Sequence, residues 1–315
     1  MNRSIFFTVL VLNAIVICTS CNNEDPPSSK IEEFTLENFP LLDGSTSTEP
    51  LVKLIACKLL GYDYRWGLMP IQHESWLLWT NLPDEFVEKH LKSSQTHNAF
   101  INLIDKKADL IFSARKMSAD EKAYAAKANV SLIETPIALD ALTFFVNSEN
   151  QITSLTHEQL QDIYKGTIQN WKDIGGNDAP IIPYVRNRNS GSQELMESLV
   201  LSHEQISNHV LEDNTIYSMR PILTMVQDGV NGLGYTVFYY KENIIRDLIN
   251  VKTLAVNGVY PDEKTIENET YPYVAEVFVI IRSDLVKSSM AYKIYELLQT
   301  DEGKRIITES GYVPN

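Results

Sequence analysis

From Phe39 to the C-terminus, short apolar runs alternate with stretches of helical spacing, and no other feature narrows the available folds as much. PLLDGS (40–45) is a short apolar run ending in a turn. EPLVKLIACKLLG (49–61) sets Leu51, Leu54, Ile55 and Leu59 at helical spacing before Gly61 stops it. AFINLIDKKADLIFSA (99–114) predicts a helix from Ala99 to Lys107 and a strand from Asp109 to Ser113. ALTFFVN (141–147), PIIPYVR (180–186), GLGYTVFYY (232–240) and YVAEVFVIIR (273–282) predict further strands, with helices at roughly 156–165, 191–200, 218–228 and 288–299 between them. Strands separated by helices predict an α/β fold with mainly parallel sheets. The stretch Tyr62–Trp79 holds five aromatics without a clear period and reads as a packed surface excursion rather than a cofactor box. No internal repeat or low-complexity run interrupts the pattern.

At 315 residues the chain is too long for one ordinary domain and suits two lobes. A content of 44% hydrophobic and 22% charged residues excludes a disordered, collagenous or coiled-coil protein. Lys plus Arg number 27 against 41 Asp plus Glu, a net charge of −14. That balance argues against nucleic acid or anionic lipid as a general partner, because both need a basic surface. A pocket for a small anion is still allowed, provided a few well-placed donors work against the global field.

The first twenty residues read as an export segment. Arg3 lies in a short polar start, Ile5 to Val16 is apolar apart from Thr8 and Asn13, and Thr19 and Ser20 are small. The segment is too short to span a membrane as a helix. A cysteine directly after it resembles a bacterial lipoprotein signal, with Cys21 acylated and retained, although Cys18 stands where that pattern usually has Leu. Residues 22–30, NNEDPPSSK, then form a polar, proline-bearing tether. Cleavage leaves Cys57 as the only other cysteine, so the mature chain has no internal disulfide to make.

No metal or nucleophile motif emerges. The six histidines, at 73, 90, 97, 157, 203 and 209, form no HExxH and no paired Cys/His spacing. There is no GxSxG elbow and no phosphate-cradling P-loop. Cys57 falls within an apolar helical pattern and reads as a buried structural thiol. What stands out is a set of hydroxyl-rich turns after strands. DGSTSTEP (43–50) has four consecutive hydroxyl residues before a helix, more than a helix cap needs. SSQTHNAF (93–100) places Thr96 to cap the next helix, and IFSARKMS (111–118) puts Ser113 and Arg115 at a strand end. YVRNRNSGSQEL (184–195) offers Arg186, then Ser190, Gly191 and Ser192 opening a helix. Hydroxyls, free N–H groups and one guanidinium suit a small oxyanion. Without a metal or an activated nucleophile they suit binding better than catalysis.

In order, DGSTSTEP, KADLIFSARKMSADE, YKGTIQNWKDIGGNDAPIIPYVRNRNSGS, DGVNGLGYTVFYY and TDEGKRIITESGYVPN resemble the phosphate-binding lipoproteins of bacterial phosphate ABC transporters. The match spans roughly residues 40–60 and 92–315, and the run at 164–192 is its most specific part. The resemblance implies a two-lobed periplasmic-binding-protein fold of type II with the ligand cleft between the lobes. It implies crossovers near 140 and 236, so that 31–140 plus 237–315 form one lobe and 141–236 the other. It also implies a monomer with no cofactor and no enzymatic activity, held at the cell envelope only by its lipid and serving the subunits of an ABC permease. The anion ligands it implies are Ser47, Thr48, Thr96, Ser113, Arg186, Ser190, Gly191 and Ser192.

Two departures from the family bear on the ligand. Ala114 stands where some members carry an Asp that accepts the proton of hydrogen phosphate, a physical means of rejecting sulfate. Glu49 stands where an apolar or aromatic residue is usual. Either Glu49 replaces the missing acceptor, or it faces solvent at the helix start, favoured there by the dipole. Arg115 either adds charge to the pocket or pairs with a carboxylate of its own lobe. The alternatives to phosphate capture are the same fold binding sulfate, molybdate or tungstate, and a surface sensor or adhesion module that has lost transport. A phosphate-ester hydrolase is the poorest reading.

Overall fold

The structure, a computed structural model, describes residues 33–68, 76–202, 205–246 and 248–315. The export segment, Cys21 and the tether lie outside the described residues. β1 (Leu42–Gly44) leads through a tight turn into α1 (Glu49–Leu60). Gly61, at φ 73°, donates its N–H to the Cys57 carbonyl and ends that helix as a left-handed cap. β2 (Tyr64–Leu68) and β3 (Trp76–Thr80) pair as an antiparallel hairpin. α2 (Thr96–Ile104) precedes β4 (Leu110–Ser113), and α3 (Ala119–Lys127) precedes β5 (Leu132–Asn147). Then follow α4 (His157–Tyr164), β6 (Ile182–Pro183), β7 (Val185–Arg186), α5 (Gly191–Leu195), β8 (Thr215–Ile216), α6 (Met219–Asp228) and β9 (Gly232–Val237). β10 (Val251–Thr253), β11 (Val274–Arg282), α7 (Met290–Leu297), α8 (Asp301–Glu309) and β12 (Val313–Pro314) complete the main elements.

The eight-stranded sheet runs β1-β4-β11-β5-β9-β6, with β10 and β12 also paired to β5. Within it β1 with β4 and β6 with β9 are parallel, and the remaining pairs are antiparallel. The expectation of mainly parallel pairing is therefore corrected. Parallel neighbours arise where helices carry the chain back over the sheet, as between β1 and β4. β5, by contrast, takes every one of its partners antiparallel.

The sixteen-residue β5 organises the molecule. From Leu132 to Ala141 it pairs with β11, and from Leu142 to Val146 with β9. The sequence pattern indicates only its second half, because Glu134, Pro136 and Asp140 interrupt the first. Pro136 fits because it faces Phe278 where the β11 register shifts, so its missing N–H falls at an irregularity of the ladder. PIIPYVR likewise divides, β6 joining β9 and β7 joining β8. The expected helix at 191–200 is α5 continued by a wider π-helical turn, Met196–Val200.

Apolar burial follows the expected faces. Leu51, Leu54, Ile55 and Leu59 of α1 are fully buried, and so is Cys57, whose thiol burial pushes up to about 12. That thiol is a structural one. Tyr62, Tyr64 and Trp66 of the aromatic excursion pack half-buried on the core, Leu78 is buried and Trp79 is exposed, as a surface hairpin requires. Its tip at 69–75 lies outside the described residues.

Candidate functional site

The turn after β1 is built to bring backbone and hydroxyls close together. A Cβ on Gly44 would lie 2.6 Å from Thr48 Oγ1 and 2.9 Å from the Phe112 carbonyl, so only glycine fits there. Thr48 Oγ1 donates to the Ser45 carbonyl at 2.9 Å, and the Ser45 N–H donates to Phe112 O at 3.0 Å. Neither Thr48 nor its neighbours cap α1 by side chain. Asp43, 1% exposed, fixes this turn to the next: Oδ1 accepts from the N–H groups of Gly44 and Ser94, and Oδ2 accepts from Asn102 Nδ2 at 2.7 Å.

Ser45 proves to be the junction of three loops. Its Oγ lies 3.0 Å from Thr96 Oγ1 and accepts from the Ala114 N–H at 3.3 Å. Sequence reasoning passed over it, although it stands in the hydroxyl run directly after β1. Thr96 is not the cap of its helix, as expected, but the first residue within it; Gln95, at φ 69°, precedes it without a capping bond. Its hydroxyl is thereby free to meet Ser45. Ser113 Oγ donates to the Arg115 carbonyl at 2.7 Å. Ser45, Ser47, Thr48, Thr96 and Ser113 are all buried.

A second set comes from the 184–195 loop. The Arg186 N–H is held by Gln193 Oε1 and the Tyr235 hydroxyl, both at 3.0 Å, and its Nε donates to the Ile216 carbonyl at 3.0 Å. Burial draws the Arg186 pKa down, the cost of keeping a guanidinium out of water. Ser190 caps α5, accepting from Gln193 N at 3.2 Å. Ser192 Oγ is buried with no hydrogen-bond partner among the described residues. Gly191 abuts the first set: a Cβ there would stand 2.8 Å from Thr96 Oγ1.

Two residues weighed for the pocket are committed elsewhere. Arg115 forms a two-armed pair with Glu121, 2.7 Å and 2.8 Å, and both side chains are buried. Glu49, half-exposed, accepts from Lys53 one turn later at 2.6 Å. Beside the cluster, a groove of about 990 Å³ runs past Arg115, Asp120, Arg188, Asn189, Glu194 and Glu276. Among the described residues no three His, Cys, Asp or Glu side chains converge as metal ligands would. Among the described residues the arrangement is one of neutral hydroxyls, backbone N–H groups and the buried Arg186 guanidinium, donors of the kind an oxyanion needs.

Residues 86–293 match the PBP superfamily domain. A protein named phosphate-binding protein PstS from Borreliella burgdorferi is 30% identical over 230 residues, 70% of this chain and 76% of its own. One of the same name from Staphylococcus epidermidis is 24% identical over 311 residues, covering 96% and 86% of the two chains. Among solved structures, an ABC-type phosphate transport receptor from Vibrio cholerae superposes with a TM-score of 0.60 at 21% identity, covering 87% of this chain and 99% of that one. A Clostridium perfringens chain solved with bound phosphate reaches 0.64 at 20% identity, over 88% and 100%. These likenesses give the fold as the two-lobed α/β arrangement of type II.

Proposed function

The chain belongs to the PBP superfamily and, within it, to the PstS family of phosphate-binding proteins, and from that premise we infer that it captures inorganic phosphate for an ABC importer. It is a solute-binding protein and not an enzyme. Phosphate sits between the lobes, with Ser47, Thr48, Thr96 and Ser113 on one side and Arg186, Ser190, Gly191 and Ser192 on the other; Ser45 joins the first group. The lobes of this reading are 31–140 plus 237–315 and 141–236, except that the stretch around β10 pairs with Phe145–Asn147 of β5 and so packs with the second lobe. Supporting that division, β5 changes partner between Ala141 and Leu142, and the β9 pairing ends at Val237. The protein is exported to the cell envelope. We extend this to a monomer tethered through acylated Cys21, docking on permease subunits when the lobes close.

The observation that carries the reading is Ser192 Oγ. A buried hydroxyl without a partner costs about 1–3 kcal/mol, and an anion seated beside Gly191 and the Ser45–Thr96 hydroxyl pair, accepting from Ser192, removes that cost. Because the donors are uncharged apart from Arg186, the ligand's charge is balanced locally and a net charge of −14 does not oppose binding.

Calorimetric titration with phosphate, sulfate and molybdate tests this directly: one-to-one phosphate binding that sulfate does not displace is expected. Preference for another oxyanion would keep the fold and move the ligand, and silence with all three would sink the transport reading. Arg186→Ala should weaken phosphate binding by about a hundredfold or more, since each charge-assisted hydrogen bond contributes about 1.5–3 kcal/mol. Gly191→Ala, which forces a methyl against Thr96 Oγ1, should weaken it by about tenfold through hindered closure, on the scale of a small overpacking of about 1–3 kcal/mol. Glu49→Gln should leave phosphate affinity and sulfate rejection unchanged, because Lys53 already occupies that carboxylate. A loss of sulfate rejection in this variant would restore Glu49 as the proton acceptor.

A further inference from the structure

Three hydrogen bonds cross the cleft beside the ligand cluster and touch no ligand donor. Arg115, 4% exposed and anchored by Glu121, extends Nη2 to the Asn189 carbonyl at 2.8 Å. Asn189 adopts φ 65°, a left-handed conformation that asparagine tolerates. From that position its Nδ2 donates to Asp120 Oδ2 at 3.0 Å, while Arg188 Nη2 meets Asp120 Oδ1 at 2.9 Å. Asp120 lies in the first turn of α3, and Asn189 directly precedes Ser190, which opens the anion-binding run. On the lobe division above, every one of these bonds joins one lobe to the other.

We propose that Asp120, with the Arg115–Asn189 contact, is a latch that sets how long the closed lobes retain phosphate without contacting the phosphate itself. The inference rests on the lobe division and on the phosphate reading. A contact can shift an equilibrium only by the difference it makes between two states. These bonds exist only when the 115–121 and 188–189 segments meet, so their free energy belongs wholly to the closed form. Their place on the outer side of the cluster, along the groove, separates them from the donors that select the ligand. Asp120 is a positioning residue here. Arg188 is the weaker arm, because its side chain is 77% exposed and its ion pair is screened by solvent.

The test uses the full chain with Asp120→Ala and, separately, Asn189→Gly. The glycine keeps the left-handed backbone and the carbonyl facing Arg115 and deletes only the amide. Radiolabelled phosphate is bound and chased with excess unlabelled phosphate, and association is followed in parallel. Asp120→Ala should release phosphate about five- to tenfold faster, the loss of about one net hydrogen bond, with association changed less than twofold. Asn189→Gly should fall between it and the wild type. The thermal midpoint of the phosphate-free protein should fall less than that of the phosphate-saturated protein, whereas a merely structural role for Asp120 would lower both equally. Unchanged release, or a fall in phosphate-free stability matching the change in release, overturns the latch. Small-angle scattering without ligand supplies an independent readout: a larger radius of gyration in Asp120→Ala than in the wild type supports the latch, and identical radii overturn it. If the wild type binds no phosphate, the functional reading fails and the scattering still decides on the latch.

Discussion

Glu121→Ala should lower the stability of the folded chain by about 3–5 kcal/mol, the usual result of deleting one member of a buried ion pair. Glu121 is fully buried and both of its oxygens are in use. Oε2 accepts from Arg115 Nη1 at 2.7 Å and from the Ser118 N–H at 2.8 Å; Oε1 accepts from Arg115 Nη2 at 2.8 Å and lies 3.0 Å from His97 Nδ1. One side chain therefore completes the capping box of α3 and neutralises the Arg115 guanidinium. Without the carboxylate the guanidinium keeps only the Lys116 and Asn189 carbonyls as acceptors, and its Nε has no partner among the described residues. Alanine leaves an uncompensated cation under Phe100, whose ring centroid lies 5.4 Å from it. Glu121→Gln, which keeps one acceptor oxygen and the shape, should lose less. Urea denaturation of the three chains provides the comparison. A loss below about 1 kcal/mol in the alanine variant, the level of an exposed pair, would mean that solvent reaches Arg115 after all.

Asp140 should make the protein less stable as the pH rises from about 4 to about 7. Its side chain is 1% exposed, and burial lifts its pKa from 3.8 to about 7, although the backbone N–H groups of Tyr239 and Ala141, which donate to Oδ1 at 3.0 Å and 2.8 Å, oppose the rise. Oδ2 has no partner. In the unfolded chain the carboxyl ionises near 3.8; in the folded chain it keeps its proton until about 7. Between those values the folded state binds the extra proton, so stability falls with rising pH and is level beyond. The span corresponds to about 4 kcal/mol at most, at 1.36 kcal/mol per pKa unit. Its ionisable neighbours are Tyr239 and Tyr312, whose rings stack at 3.7 Å; burial raises both hydroxyls, and the nearby Asp140 carboxylate adds to the rise. Asp140→Asn keeps the acceptor for Tyr239 and cannot ionise. The stability difference between variant and wild type should therefore move by roughly 3–4 kcal/mol in the variant's favour from pH 4 to pH 8. A difference that stays constant across that range would show that Asp140 ionises as readily folded as unfolded.

Much of this was legible in the order of the residues. The helix 49–61 with its Gly61 stop, the strand ending at Ser113 and the hydroxyl turns follow from local pattern, because local chemistry decides them. The hidden part depends on partners far along the chain. The first nine residues of β5 carry a proline, a glutamate and an aspartate, and only the register shift in β11 and the buried Tyr239 N–H make those residues acceptable there. The Ser118–Glu121 capping box could be read from its spacing, whereas its second use, holding Arg115 towards Asn189, could not. In the sequence Ser45 is one hydroxyl among four, and only the convergence of Thr96 and Ala114 on it sets it apart. Spacing alone makes Thr96 a cap, and the left-handed Gln95 before it removes it from that duty.

Sixteen residues of extended chain reach about 50 Å, at roughly 3.3 Å each, so the two halves of this molecule are mounted on one rod rather than joined by a flexible cord. Where β5 exchanges β11 for β9, the rod is at its most compliant, and the Asp140 bond to Tyr239 ties the returning strand to that same point. Two strands fastened side by side resist sliding and bending in their own plane far more than they resist torsion. Under the lobe division proposed above, opening of the cleft is expected to be a rotation about the rod, which would return the two groups of donors to the same alignment at each closure.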